Sequence, residues 1–136
     1  MIIDGGACAF GLESTIVAVS AEGLRLLRPG PIDLGLMLSI GDSIEAPGQL
    51  ASHYAPAKPL RLGAVSAHED EWLIGFGAVD GDANLSADGD LSEAAAKLFA
   101  ALHEADASNR PRIAVAPIPY IGLGLAINDR LVRAAH

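Results

Sequence analysis

The sequence predicts an α/β fold: a small domain with a mainly parallel sheet flanked by helices, preceded by a β-rich segment and a proline-rich linker. Three observations carry this. From residue 60 onward, short apolar runs alternate with a helix-period segment, the pattern of parallel strands joined through helices. Before residue 40 the chain instead shows two short strand-like runs around a tight turn. Between the two, Pro47, Pro56 and Pro59 fix their own φ and push each preceding residue out of the helical region, so this stretch reads as extended. The chain is therefore divided into residues 1–40, a linker at 41–59 and an α/β domain at 60–136.

Taken in order, Ser14 to Val19 is a β-branched run and Leu24 to Leu27 a second strand, with Ala21-Glu22-Gly23 as the turn and Gly23 free to take a positive φ. An isolated hairpin is marginal in water, so this segment is expected to belong to something larger. Pro31 to Ile40 is predicted as a short helix. Pro31 suits a first turn, Asp33 suits its positive end, and Leu34, Met37 and Leu38 share a face. Strands are then predicted at 60–65, 72–76, 84–86 and 113–116. Leu91 to Ala105 is the clearest helix, with Leu91, Ala95, Leu98, Leu102 and Ala105 spaced three and four apart. Asp90 is its expected N-cap, with Glu93 as a reciprocal partner. A last helix is expected over 125–135, with Arg130 and Arg133 near its negative end.

Composition narrows the function. The chain is 51% hydrophobic and 19% charged, enough apolar matter for a packed core. Its net charge of −8 argues against broad binding to phosphate backbones, which basic surfaces perform. A single cysteine, Cys8, excludes an internal disulfide and fits a reducing compartment. No apolar run is long enough to span a bilayer, and Met1-Ile2-Ile3-Asp4 lacks the basic start of a signal peptide, so a cytoplasmic protein without membrane partners is expected. His53, His68, His103 and His136 show no metal-ligand spacing.

Two motifs are set aside. Gly75-Phe76-Gly77-Ala78-Val79-Asp80-Gly81 follows a strand but places its third glycine one position late, and no helix opens directly after it, as dinucleotide binding requires. The acidic loop of Asp80, Asp82, Asn84, Asp88 and Asp90 has Leu85 and Leu91 where a calcium loop needs Gly and Glu, so it reads as a solvated loop. Glu13-Ser14-Thr15 has no nearby histidine to serve as a base. Its hydroxyls suit hydrogen bonding, either to a ligand or to a neighbouring strand. Arg28 carries a planar donor fork suited to a phosphate, or to an ion pair with Glu22. In the linker, His53 and Tyr54 stand side by side, suited to close over a ligand or to pack the linker down.

Four stretches, in order, resemble one family. Ala46-Pro47-Gly48-Gln49-Leu50-Ala51-Ser52-His53-Tyr54-Ala55-Pro56 is similar to the linker of the threonylcarbamoyl-AMP synthases, the two-domain YrdC/Sua-type proteins. Gly11-Leu12-Glu13-Ser14-Thr15-Ile16-Val17 and Leu27-Arg28-Pro29-Gly30 resemble the last motifs of that family's catalytic domain. The stretch from Gly122 to Leu131 resembles its C-terminal helix. Ala18 departs from the pattern, which commonly has an acidic residue there.

The resemblance implies a YrdC-like remnant at 1–40, a linker at 41–59 and a Rossmann-like domain at 60–136. It implies that Ser14 contacts L-threonine and that Arg28 and Tyr54 contact ATP. The family reaction joins L-threonine, bicarbonate and ATP, usually with Mg2+, into threonylcarbamoyl-AMP with release of pyrophosphate, and its product serves tRNA modification. The family's basic ATP-gripping motifs lie N-terminal to the matching stretches, so this chain alone is expected to be inactive. The alternative is a non-catalytic α/β binding or regulatory module that needs a partner chain.

Overall fold

The computed structural model describes residues 1, 3–6, 10–39, 45 and 55–135. Among these residues six strands and two helices follow in the order β1 (Ile16–Ser20), β2 (Gly23–Arg28), β3 (Leu60–Leu62), β4 (Glu71–Gly75), β5 (Ala83–Asn84), α1 (Leu91–Ala107), β6 (Arg112–Val115) and α2 (Leu123–Ala134). Strands β1 and β2 form the expected antiparallel hairpin, and Gly23 closes its turn at φ +124°. The register slips between Ile16 and Val17, which brings Arg28 opposite Ile16.

The remaining strands form one parallel sheet in the order β3-β6-β4-β5. Strand β6 lies inside the sheet, and its run of Ile113, Ala114 and Val115 is buried on both faces, as an interior parallel strand requires. Alternation decides which side chains meet the helices. Ile74, Ile113 and Val115 point to the face where Leu98 and Leu102 of α1 meet Ile127 and Leu131 of α2, and together they make the main core. Leu73 and Ala114 point the other way, against Ala64. On that second face Arg61 grips Glu71 with two parallel bonds, Nε to Oε1 at 2.8 Å and Nη2 to Oε2 at 2.6 Å.

Helix α1 begins where the sequence predicts. Asp90 accepts from the backbone N–H groups of Ser92 and Glu93 at 2.7 and 2.8 Å. The reciprocal half of the cap is a correction: the Asp90 N–H goes to Ser86 Oγ at 3.0 Å, while Glu93 turns along the helix to Lys97. At the other end, Lys58 delivers its ammonium to the carbonyls of Ala105 and Ser108 at 2.9 and 2.7 Å, a cation at the negative end of the helix.

The short helix predicted over 31–40 does not form in its described part, 31–39. Asp33 Oδ1 accepts from Gly35 N–H at 2.8 Å in an Asx-type turn, and Gly35 sits at φ +63°. Such a local side-chain bond competes with helical pairing. Thr15, seventeen residues away, also holds Ile32 by both its N–H and its carbonyl. The strand predicted at 84–86 forms one residue earlier. After β4 the chain turns tightly, with Phe76 and Val79 exchanging backbone bonds, and no helix opens directly after Gly75. Among the described residues no helix is long and apolar enough to cross a membrane.

Candidate functional site

The two stretches that carry the candidate ligand-binding residues lie side by side. Arg28 ends β2 and turns back across the approach to β1. Its Nε and Nη2 both donate to the Ser14 carbonyl, at 3.2 and 3.0 Å, and Nη2 also reaches Ser14 Oγ at 3.4 Å. Ser14 is exposed, whereas Arg28 is only 6% exposed. The arrangement thus presents a hydroxyl to solvent with a positive guanidinium directly behind it. No ion pair joins Arg28 to Glu22 among the described residues; the Arg28 fork donates to Ser14 instead.

Glycine makes this approach possible. A Cβ at Gly30 would lie 2.3 Å from the Thr15 backbone nitrogen and 2.6 Å from the Ser14 carbonyl carbon. Contacts that short cannot be relieved by turning a side chain, since the neighbours are backbone. The Arg-Pro-Gly sequence therefore places a charge and then a gap against the same strand. Gly11, at φ +59°, does a similar service further back, where a Cβ would meet the α1 backbone at Ala95 and Ala96.

One residue stands differently in the structure from its reading in the sequence. Arg130 looks like a charge near the end of α2, yet it is fully buried. Its Nε donates to Glu13 Oε2 at 2.9 Å, and its Nη1 donates to the Pro29 carbonyl at 3.0 Å and to Asp129 Oδ2 at 2.7 Å. Arg133 bonds both Asp129 oxygens, Oδ1 at 3.0 Å and Oδ2 at 3.3 Å. Helix α2 is thereby joined to both candidate stretches. The signal available in the sequence was the Asn128-Asp129-Arg130 string, three polar residues in succession in an apolar helix; Asn128 and Arg130 are buried and Asp129 partly so.

Arg25 points away from Arg28, as their odd spacing on a strand requires. It pairs with Glu45 at 2.8 Å on the surface, which raises the arginine's pKa and lowers the glutamate's through the shared hydrogen bonds and charge. Tyr54 and its neighbour His53 lie outside the described residues. Glu71 is strongly perturbed: hydrogen bonding from Arg61 outweighs desolvation and lowers its carboxyl to about 2. It serves the back of the sheet, and the same carboxylate accepts the His68 N–H, tying down the turn before β4. An open apolar groove of about 520 Å³ runs between Leu26, Met37 and α2, but neither Ser14 nor Arg28 lines it.

The described residues do not form a magnesium site. Among them no three His, Cys, Asp or Glu side chains converge, and Glu13, the carboxylate beside Ser14, is engaged by Arg130.

The described residues thus form a parallel α/β domain whose last helix is tied to an antiparallel hairpin. The chain belongs to the threonylcarbamoyl-AMP synthase family: the family model for the C-terminal domain of threonylcarbamoyl-AMP synthase matches residues 19–136. Similar curated proteins are the threonylcarbamoyl-AMP synthases of Bacillus subtilis and Pyrococcus abyssi. Each is 28% identical over 98% of this chain and 48% of its own length. The chain thus spans about half the length of the curated relatives it matches. Among solved structures, Pyrococcus abyssi Sua5 complexed with L-threonine superimposes with a TM-score of 0.78 at 26% identity, covering 97% of this chain and 48% of that one. A doubly substituted form of the same protein gives a TM-score of 0.75 at 24% identity, covering 97% of this chain and 47% of that one, a likeness of fold.

Proposed function

We propose that this chain supplies the C-terminal part of a threonylcarbamoyl-AMP synthase, including one wall of its active site, and that residues 1–40, 41–59 and 60–136 are the end of the catalytic domain, the linker and the Rossmann-like domain. The reaction would join L-threonine, bicarbonate and ATP into threonylcarbamoyl-AMP and pyrophosphate, serving tRNA modification in the cytoplasm. One observation carries the reading: the Arg28 fork on Ser14, two motif residues fourteen positions apart brought within hydrogen-bond distance.

In this wall Ser14 would bind L-threonine through its exposed hydroxyl. Arg28 would fix the Ser14 backbone and set its positive charge behind the bound ligand, where it offsets charge on ATP. Tyr54 would contact the nucleotide from the linker. Phosphoryl and nucleotidyl chemistry depends on positioning and charge neutralisation. One buried arginine does not neutralise a triphosphate, so the chain alone is expected to lack turnover. Any magnesium would arrive with ATP.

The alternative, a non-catalytic α/β module that works with a partner chain, is favoured by one observation: the sheet core of Ile74, Ile113, Val115, Leu98 and Leu131 closes almost entirely from residues after 58. Pyrophosphate release with ATP, L-threonine and bicarbonate separates the two. It is measured for this chain alone and for a version joined to a catalytic half of the family. Turnover only in the joined version, lost on Arg28→Ala, supports the synthase reading. A joined version without turnover supports the module, and turnover by the chain alone would contradict the one-wall account.

A further inference from the structure

We propose that Arg130 is a positioning residue for the Ser14–Arg28 wall, so that helix α2 sets the geometry of that wall from the far end of the chain. The proposal rests on the functional reading above for its significance, though not for its geometry. The acceptors of the Arg130 guanidinium are its helical neighbour Asp129 and two distant groups. Those two are the Glu13 carboxylate, one residue before Ser14, and the Pro29 carbonyl, one residue after Arg28. Arg28 in turn donates to Ser14. The result is a closed ring, Arg130 to Glu13, Ser14, Arg28, Pro29 and back, in which every link is covalent or a hydrogen bond. Such a ring does not open at one link without moving the rest.

The fork is itself preset. Asp129 Oδ2 accepts from Arg130 while Arg133 holds both carboxylate oxygens, so α2 presents the guanidinium already oriented. Docking of α2 does not need this arrangement, because Ile127 and Leu131 already bury the helix in the core. The arrangement also leaves Arg130 Nη2 buried with no partner among the described residues. A contact selected only for stability would satisfy that nitrogen or use an apolar side chain. What the buried fork adds is a fixed distance and angle between two backbone segments.

The test is the Arg28 side-chain Nε–H signal in nitrogen-15 NMR of the full chain, with its rate of exchange with water. In the wild type this hydrogen is shielded by its bond to Ser14. In Arg130→Met its exchange should rise at least about tenfold, as when a local opening exposes a protected hydrogen. The Ser14 and Thr15 amides should shift, while those of Ile113–Val115 stay in place. Arg130→Lys, which keeps the charge without the fork, should recover part of the protection. Leu131→Ala serves as the control, since it loosens α2 without touching the guanidinium. A wild-type Arg28 Nε–H that already exchanges freely overturns the proposal. So does an unchanged signal in Arg130→Met, or an equal loss in Leu131→Ala. Should Arg130→Met fail to fold, Glu13→Gln reads the ring from its other side, and no change at Arg28 there overturns the proposal equally. Titration of the wild type with L-threonine and with ATP tests the functional reading separately. Ser14 and Arg28 signals that ignore both ligands would count against that reading while leaving the ring intact.

Discussion

Residues 58–135 and residues 10–39 are organised on opposite terms. The first region closes its own core: Ile74, Leu85, Leu98, Ile113, Val115 and Ile127 have no exposed surface. The second has a regular hairpin but little inside it. Of its strands only Leu27 and Arg28 are buried, while Val19 stands 80% exposed and Met37, nearby, 91%. Its order comes from attachment, through Gly11 on α1 and through Glu13 and Pro29 on Arg130. The difference shows where each job sits. The self-contained region is a platform, and the residues proposed to meet substrate lie on the region that borrows its stability.

That contrast can be broken most forcefully at Leu98. Leu98→Asp puts an unpaired charge at the centre of the platform, at a cost of several kcal/mol, on the order of a small domain's whole margin. The helical signal of α1 should be lost at room temperature by circular dichroism. A melt like the wild type would show that the core does not depend on this face. Gly30→Ala addresses the other region. Forcing a methyl against the Thr15 backbone should cost about 3 kcal/mol, the upper range for overpacking, and should free the hairpin. Amide protection of β1 and β2 should fall while the fluorescence melt of Trp72, on β4, holds; a matching loss in both would deny the separation.

Glu71→Gln tests the platform's second face. Its carboxyl titrates at about 2 in the fold against 4.5 unperturbed, chiefly because of Arg61. A depressed carboxyl stabilises above its unfolded pKa, and that contribution is lost as pH falls from about 4.5 to about 2. The substitution should cost about 2 kcal/mol at neutral pH, as for a hydrogen bond to a charged group. It should also flatten the acid limb of stability against pH, and an unchanged acid limb would count against the pair. Smallest of all, Arg25→Ala removes an exposed pair with Glu45 and should leave the unfolding midpoint where it was. A clear drop would mean that the hairpin leans on its surface charges after all.

Much of the platform was legible in the sequence. Helix α1 declared itself through five apolar positions at helical spacing and an aspartate cap, and strands β4 and β6 through apolar runs, because each of these signals is local. Most of the exceptions depended on residues far apart in the chain. The helix predicted at 31–40 gave way to an Asx-type turn at Asp33 and to a grip on Ile32 by Thr15, which no window of ten residues contains. Lys58 reads as linker, yet it completes the C-terminus of α1 some fifty residues on. Arg28 and Ser14 were singled out by motif, but their direct contact was not foreseen. Arg130 reads from sequence as a charge near the negative end of the last helix, because nothing near it names a partner 117 positions away. Strand order, with β6 inserted between β3 and β4, is likewise a property of assembly rather than of any segment.

Native-state hydrogen exchange on the whole chain tests the division most directly. The account predicts two levels of protection. Amides of α1 and β6 should exchange only through global unfolding, and those of β1 and β2 through a smaller opening that leaves the sheet intact. Hairpin amides as protected as those of Ile113, Ala114 and Val115, exchanging with the same denaturant dependence, would contradict it.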